Sequence, residues 1–387
     1  MQTSRRNFIR ILGAAPVVAA AAALPIWLSN SSKALQQAQQ AWTEAGKTET
    51  DIRRWALSYA ILAPNPHNRQ PWIADLRTGN EITLYCDLER LLPETDPFDR
   101  QILIGHGCFL ELLTLAAAQR GWRADVRLFP EGESAGSRLD AKPIARIHFV
   151  EAGVQRDALF AQVLKRRSNR EAFDTKKPVA IEHLNALSEA AGGGTVSVRN
   201  VNDAATRDKL GDILIRAYEV EMSTPRTLKE NVDLMRVGSR EILQHRDGIS
   251  LGGPLFEFLK LFGMMSRDKL MDPAGTLSRQ SLDRMRKLID TGMAYTFVLT
   301  PDNSRRAQVE AGRAYVRMNL KATELGLGMH PMSQVLQEYA EMEKLGKEFK
   351  ALMGIQETQQ VQMLARLGHA PETAPSPRRD FKEFIRI

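Results

Sequence analysis

The sequence predicts a mixed helix-and-strand protein made of two similar halves in series, behind an N-terminal segment that lies outside the fold. Three observations predict it. Two segments share the pattern G-x7-L-x-A-x3-G, with Gly107, Leu115, Ala117 and Gly121 in one and Gly312, Leu320, Ala322 and Gly326 in the other. Strand-like runs flank both. A composition of 43% apolar and 26% charged residues over 387 positions is globular, with chain enough for one large domain or two of ordinary size. A duplicated chain can fold as a two-fold dimer fused in series, with a site formed between its halves.

The N-terminus comes first in the chain and carries no fold. "SRRNFIR" (Ser4–Arg10) precedes a mostly apolar run from Ile11 to Leu28, and polar residues follow. Basic, apolar, polar is the order of an export signal. The Arg5–Arg6 pair before Phe8 and Ile9 is similar to the twin-arginine signal, whose translocase carries folded proteins. No clean A-x-A cleavage site stands near Ser29–Ala34, so residues 1–33 are either cut or kept as a tether. On both alternatives the working part is expected outside the cytoplasm, in the periplasm. Residues 29–50, rich in Gln and Ala, read as a short linker that becomes helical.

The first half is expected over 34–160 and the second over 161–387. Helical spacing of Phe109, Leu112, Leu113 and Ala116 predicts the first helix, and Tyr315, Val316, Met318 and Leu320 predict its counterpart. Gly121 and Gly326 suit C-caps. "EITLYC" (Glu81–Cys86) and "AYTFVLT" (Ala294–Thr300) predict strands before the helices, and "ARIHFV" (Ala145–Val150) and "VQMLARL" (Val361–Leu367) predict strands after them. Residues 222–290 are an insertion without counterpart in the first half. It is rich in Met, Leu and Arg and includes the apolar "GPLFEFLKLFGMM" (Gly253–Met265).

Several function classes recede on composition. The net charge of +7 falls to +3 without residues 1–33, which hold Arg5, Arg6, Arg10, Lys33 and no acid. No dense basic cluster with aromatics remains, which speaks against nucleic acid. Two cysteines, Cys86 and Cys108, make no disulfide scaffold, although two thiols in an oxidising compartment can pair. No C-x-x-C or H-E-x-x-H supports a metal site, and "AGGGT" lacks the G-x-G-x-x-G spacing of a dinucleotide loop.

Two stretches carry chemistry. "PNPHNRQPW" (Pro64–Trp72) holds three prolines and no carboxylate. Its prolines fix φ and predict a stiff, extended path on which Asn65, His67, Asn68 and Gln70 present groups that both donate and accept. Such a surface suits a flat uncharged heterocycle or a polyol; a proline-rich connector capped by a buried Trp72 is the plainer alternative. Arg166, Arg167 and Arg170 stand with Ser168 in "RRSNREAF", and Arg378 and Arg379 stand near the C-terminus. Guanidinium forks and a hydroxyl match a phosphate monoester, provided the segments meet in space. Taken singly, each arginine pair also reads as a solvated face.

In combination these segments resemble the FMN-dependent nitroreductase family, in its tandem-duplicated branch. "APNPHNRQPW" (Ala63–Trp72) is similar to the family's loop, "RRSNREAF" (Arg166–Phe173) to its phosphate motif, and "AGRAYVRMNLKATELGLG" (Ala311–Gly328) to its dimer-interface helix. "PMSQ" (Pro331–Gln334) and "LARLGHAPETAPSPRRDF" resemble its flavin-facing and closing segments. The resemblance spans roughly residues 50–385. It implies an α+β fold, with two nitroreductase-like halves whose mixed, mainly antiparallel sheets pack with helices and mimic the family homodimer. It implies one FMN between the halves. Arg166, Ser168, Arg170 and Arg379, with Arg167 and Arg378, would hold the phosphate. Pro64, Asn65, His67, Asn68 and Gln70 would line ribityl and ring, with backbone of Met332 and Ser333 near N5. Departures limit the carry-over. The first half has no arginine-serine clamp, since Arg53–Arg54 lacks the serine, and the second half lacks the N-x-Q-P-W loop.

The implied activity is two-electron transfer through flavin N5 to a small acceptor such as a quinone or nitro compound, with a quinol or protein as donor outside the cytoplasm. No side-chain acid or base is demanded. The rival expectation is a flavin storage protein without turnover, in which residues 222–290 lie over the cofactor as a lid.

Overall fold

The computed structural model describes residues 30–387. The export signal expected over 1–33 falls on residues of which 1–29 lie outside the described residues.

Two long helices cross at matching glycines, and the molecule is arranged around that crossing. In chain order the first half contributes helix α1 (Ile52–Ala60), strands β1 (Trp72–Asp75) and β2 (Glu81–Cys86), helix α2 (Arg100–Gln119), and strands β3 (Trp122–Leu128) and β4 (Ala145–Glu151). Helix α3 (Ile181–Ala190), strand β5 (Ser197–Val201) and helix α4 (Ala204–Ser223) open the second half. The insertion follows, with helix α5 (Pro225–Leu234), strand β6 (Met235–Val237), helix α6 (Ser239–His245), strand β7 (Ile249–Leu251), and helices α7 (Pro254–Leu261) and α8 (Thr276–Asp290). Strand β8 (Ala294–Thr300), helix α9 (Arg305–Glu324), strand β9 (Gly328–Pro331), helix α10 (Glu343–Leu352), and strands β10 (Gln360–Gly368) and β11 (Ile385–Arg386) complete the chain.

The helices start where side-chain acceptors meet orphan amides. Asp51 accepts from Arg53 N at α1, Asp203 from Thr206 N at α4, and Ser304 from Ala307 N at α9. Asp96 reaches the first turn of α2, accepting from Gln101 N at 3.1 Å and Ile102 N at 3.0 Å.

The two main sheets have the orders β11-β1-β2-β4-β3 and β5-β8-β10-β9, and β6 and β7 pair as a third, two-stranded sheet in the insertion. In each main sheet, the long helix joins the second strand of its half to the third, and the fourth strand pairs between them. The strands expected at Glu81–Cys86, Ala294–Thr300, Ala145–Val150 and Val361–Leu367 all form. The last two are not the next elements after the helices. Strands β3 and β9 intervene, hidden in sequence because "WRADVRL" is broken by charges and "GMHP" is four residues ending in proline. The chain end returns to the first sheet, where β11 pairs parallel to β1.

Helix α2 is long and apolar enough to cross a membrane, but it is buried within this protein. At its crossing with α9, a Cβ added to Gly107 would lie 2.0 Å from Val309 O, and one added to Gly312 would lie 2.0 Å from Ile104 O. Each glycine thus touches the carbonyl three residues before the other. Only hydrogen at Cα permits this approach. Trp72 is wholly buried beside Phe109, with ring centroids 5.0 Å apart. Cys86 and Cys108, whose pairing the sequence leaves open, are buried and free, and Cys108 Sγ donates to Gly312 O.

The insertion has its own small core of Leu228, Val232, Val237 and Leu270. Helix α8 packs back on α4, where Tyr218 and Ser281 share a hydrogen bond of 2.5 Å.

Candidate functional site

The loop after α1 is stiff but coiled, not extended as its prolines suggest. Pro66–Asn68 form a 3-10 turn, and His67, Asn68 and Gln70 have φ of 45°, 50° and 51°. Asn and His tolerate the left-handed region better than most side chains, whereas Gln70 there is strained. Hydrogen bonds supply the restraint. Asn65 Oδ1 accepts from Gln70 N at 2.7 Å and closes the loop, while Asn65 Nδ2 donates to Ala63 O. Asn68 Nδ2 donates to Pro377 O at 3.0 Å. Gln70 Nε2 donates to Arg246 O at 2.8 Å, and Gln70 Oε1 accepts from Arg379 N at 2.8 Å. The amides expected to face a ligand are therefore engaged by the chain itself. Pro64 is half-buried beside them.

The two arginine segments meet this loop. Arg378, almost wholly buried, donates to Ile61 O at 2.7 Å, Leu62 O at 2.9 Å and Asn68 Oδ1 at 2.9 Å. Arg166 donates to Leu62 O at 2.8 Å and to Asn319 Oδ1 on α9 at 3.0 Å. One carbonyl, Leu62 O, thus joins residues far apart in sequence. Arg379 Nη1 donates to Gln70 O at 3.0 Å, and its Nε pairs with Glu383 at 3.3 Å. Arg167 donates to Thr373 O and Leu164 O. Burial pushes the Arg166 guanidinium down to about 10 and holds Arg378 well below its ordinary range, with like charge from Arg166 and Arg167 adding to the Arg378 shift. Sequence reasoning missed Trp42, over which Arg166, Arg167 and Arg378 lie at 5.6, 4.6 and 5.2 Å from the ring centroid. Its only cue was an aromatic residue set in a polar linker.

Arg170 differs from its neighbours. Its side chain is exposed, and among the described residues it forms no hydrogen bond or ion pair. Desolvation is the first cause that lowers its pKa, and Arg284 of α8 adds to the effect. Its charge is felt by His67, Tyr218, Tyr315 and His330, which come from both halves and from α4. The solvent-reached guanidinium thus stands where these segments meet, and that junction is the candidate recess. Burial, then Arg170 and Arg69, pushes His67 down to about 4, so its imidazole is neutral. His330 is neutral as well: Arg366 Nε donates to its Nδ1 at 3.0 Å, which requires an unprotonated acceptor. Three buried polar atoms near this recess have no partner: His67 Nδ1, Arg166 Nε and Tyr315 OH. Ser168 is half-buried beside Arg170 in sequence.

Met332 and Ser333 follow β9. Met332 is buried and its N donates to Leu364 O, while Ser333 is half-buried and its carbonyl accepts from Leu336 N. The sequence also missed a charge hub that ties the insertion to the loop. Asp247, 4% exposed, receives Arg69 at 2.9 Å, Arg90 at 2.9 Å and Arg236 at 2.9 Å. Helix α7 of the 222–290 insertion turns its apolar side to solvent, and Arg246, Asp247 and Gly248 of that insertion touch the loop.

The fold is that of an α+β protein with two principal sheets, and arginines from distant segments gather on one loop. The chain belongs to the nitroreductase family, whose model matches residues 163–369, more than half of it. Rv3131 of Mycobacterium tuberculosis (strain ATCC 25618 / H37Rv), provisionally named an NAD(P)H nitroreductase, is 26% identical over 355 residues, covering 87% of this chain and 92% of its own. The same strain's acg protein, named in the same terms, is 39% identical over 83 residues, covering 21% of this chain and 24% of its own. Among solved structures, the FMN-dependent nitroreductase NfnB from Mycobacterium smegmatis in complex with NADPH is similar at a TM-score of 0.37. Its identity is 20%, over 58% of this chain and 96% of that one.

Proposed function

We propose that the recess binds one FMN per chain and that the protein is an exported oxidoreductase passing two electrons to a small quinone or nitro acceptor. The single observation that carries this is Arg170, a guanidinium in a protein-lined recess without a partner among the described residues. An unpaired cation in such a place stabilises a bound anion, and phosphate suits its planar fork. Ser168 and Arg166 Nε supply further donors. Arg166, Arg378 and Arg379 then act chiefly as framework, holding the loop through its carbonyls. His67, held neutral by burial, adds no second charge to that of Arg170. FMN bound there supplies the two-electron chemistry, and the chain's part is to orient it and exclude water.

The matched strand orders and the reciprocal Gly107–Gly312 contact support a tandem duplication that mimics a dimer within one chain. The Arg5–Arg6 signal supports export by the twin-arginine translocase and, with it, a quinol or protein as electron donor.

The test is a titration of purified protein with FMN and with riboflavin, followed by flavin fluorescence. FMN is expected to bind more tightly, and Arg170→Ala to weaken FMN by roughly 10- to 100-fold, from about 1.5–3 kcal/mol for a charged hydrogen bond, while leaving riboflavin unchanged. Equal affinity of wild type and variant for FMN would overturn the phosphate assignment. A protein that stays colourless with FMN would overturn the function.

A further inference from the structure

We infer that the outer face of helix α7 is a membrane-docking surface, which lies on an anionic phospholipid bilayer beside the point where the N-terminal apolar run enters it. The helix carries its polarity inside out. Its inward face is charged: Glu257, 9% exposed, accepts from Ser239 N, and Lys260 Nζ donates to Val237 O at 2.5 Å and to Glu241 at 3.1 Å. Its outward face is apolar, with Leu255, Phe258, Leu261 and Phe262 at 64%, 50%, 71% and 62% exposure, and Met264 follows at 48%. Half of the large apolar side chains exposed among the described residues therefore fall within one ten-residue stretch. The rings of Phe258 and Phe262 rest on each other, 4.5 Å between centroids, rather than on the core. A contiguous patch of this kind marks an interaction surface.

The place where the chain enters the structure selects the occupant. Residues 30–38 are helical, and a Cβ on Gly252 would lie 3.2 Å from Leu35 Cδ2, so Leu35 sits two residues from the start of α7. Leu28, the last residue of the apolar run, is only seven residues upstream of that contact. Seven residues reach at most about 25 Å, so by chain length the run ends within that distance of the Leu35–Gly252 contact beside α7. The run could not be covered by α7 alone: its 18 residues span roughly 27 Å as a helix, against about 12 Å for the eight of α7. A bilayer, with a hydrocarbon core of about 30 Å, accommodates both. Basic groups border the patch as an interfacial helix requires: Lys260, Arg267, and Lys269, whose Nζ donates to Gly263 O at 2.9 Å. Lys260 and Arg267 share Glu241, which leaves Lys269 as the bordering cation that pairs with no acid among the described residues. Anionic headgroups complement such an edge. None of this depends on what the recess binds.

The experiment uses the full chain, residues 1–387, carrying Phe262→Cys or, separately, Leu261→Cys, labelled with an environment-sensitive fluorophore. The native Cys86 and Cys108 are buried, so labelling is selective. Lys347→Cys on α10 is the control, its side chain 75% exposed. With phosphatidylcholine–phosphatidylglycerol vesicles, both α7 labels are expected to shift to the blue and to be quenched several-fold more than the control by a lipid-borne nitroxide. Vesicles of phosphatidylcholine alone are expected to give less of both. Labels that stay water-like while the protein sediments with vesicles would overturn the inference. So would a blue shift already complete without vesicles, which would mean that residues 11–28 cover the face.

Discussion

The crossing of α2 and α9 is testable through a change that ordinarily stabilises helices. Gly312→Ala adds one methyl group in a helix interior, where alanine is favoured over glycine by about 1 kcal/mol. Here that methyl carbon would start 2.0 Å from Ile104 O and 3.0 Å from Cys108 N. Both obstacles are backbone, so no rotamer change removes them, and the helices must separate by about 1 Å or more to reach ordinary contact near 3.4 Å. Overpacking costs about 1–3 kcal/mol, and the rigid setting places this case at the upper end. The net expectation is a loss of about 2 kcal/mol. At about 2.1 cal/mol/K per residue, a chain of 387 residues unfolds with an entropy near 0.8 kcal/mol/K. The melting temperature should therefore fall by roughly 2–3 °C. Gly107→Ala, which meets Val309 O at the same 2.0 Å, should match it. The double variant should cost less than the sum, because helices already parted for one methyl have room for the other. Differential scanning fluorimetry of the four proteins decides this. A rise in melting temperature for either single variant, or strict additivity, would refute the close crossing.

Arg378→Met strips donors from Ile61 O, Leu62 O and Ala63 O and frees Asn68. It should cost about 3 kcal/mol and speed hydrogen exchange across residues 61–70, and unchanged exchange there would show that the loop holds itself. His67, pushed down to about 4, and His330, also held down by burial, are neutral in the folded chain. The unfolded chain takes those protons below its ordinary pKa of about 6.5, so this stability is complete above that pH and is lost as pH falls toward 4. Melting temperatures measured from about pH 7 to about pH 4.5 should decline, more gently in His67→Gln, and a flat profile would contradict both assignments. Asp247→Asn leaves Arg69, Arg90 and Arg236 without their shared carboxylate. It should destabilise by about 3–5 kcal/mol and expose the insertion to limited proteolysis, whereas wild-type digestion kinetics would mean that the hub is solvated.

The sequence made some of this legible and concealed the rest for physical reasons. Strands β2 and β8 were readable because apolar residues alternate in "EITLYC" and run unbroken in "AYTFVLT", the patterns of half-buried and fully buried strands. The glycine pattern of α2 and α9 was readable because close helix approach tolerates no Cβ. Loop 64–72 was only half legible. Proline announces stiffness, but the left-handed turns at His67, Asn68 and Gln70 depend on partners such as Arg379 and Pro377, about 309 residues away. The arginines were identified by type, but which acceptor each guanidinium finds is decided by tertiary contact. Helix α7 shows the same limit. Composition said apolar helix, but only the structure shows that its charged side faces in.

The same contacts bear on how many ligands the proposed site holds. The crossing of α2 and α9 is reciprocal at its glycines, yet the side chains around it are not symmetric. Arg166, Ser168 and Arg170 line one end. The first half has the arginine pair Arg53–Arg54, without a serine, and these are consumed: Arg53 donates to Asp51, Leu76 O and Thr78 O, and Arg54 pairs with Glu49 at 2.7 Å. A guanidinium already held by a carboxylate has little to give a phosphate, because binding would first have to break the ion pair. The loop is equally one-sided, since residues 64–72 have no second copy and their geometry depends on the single C-terminal pair Arg378–Arg379. Two-fold packing therefore gives the framework, and unshared side chains give one competent end. On this arrangement one FMN per chain, rather than two, follows from where the arginines spend their hydrogen bonds.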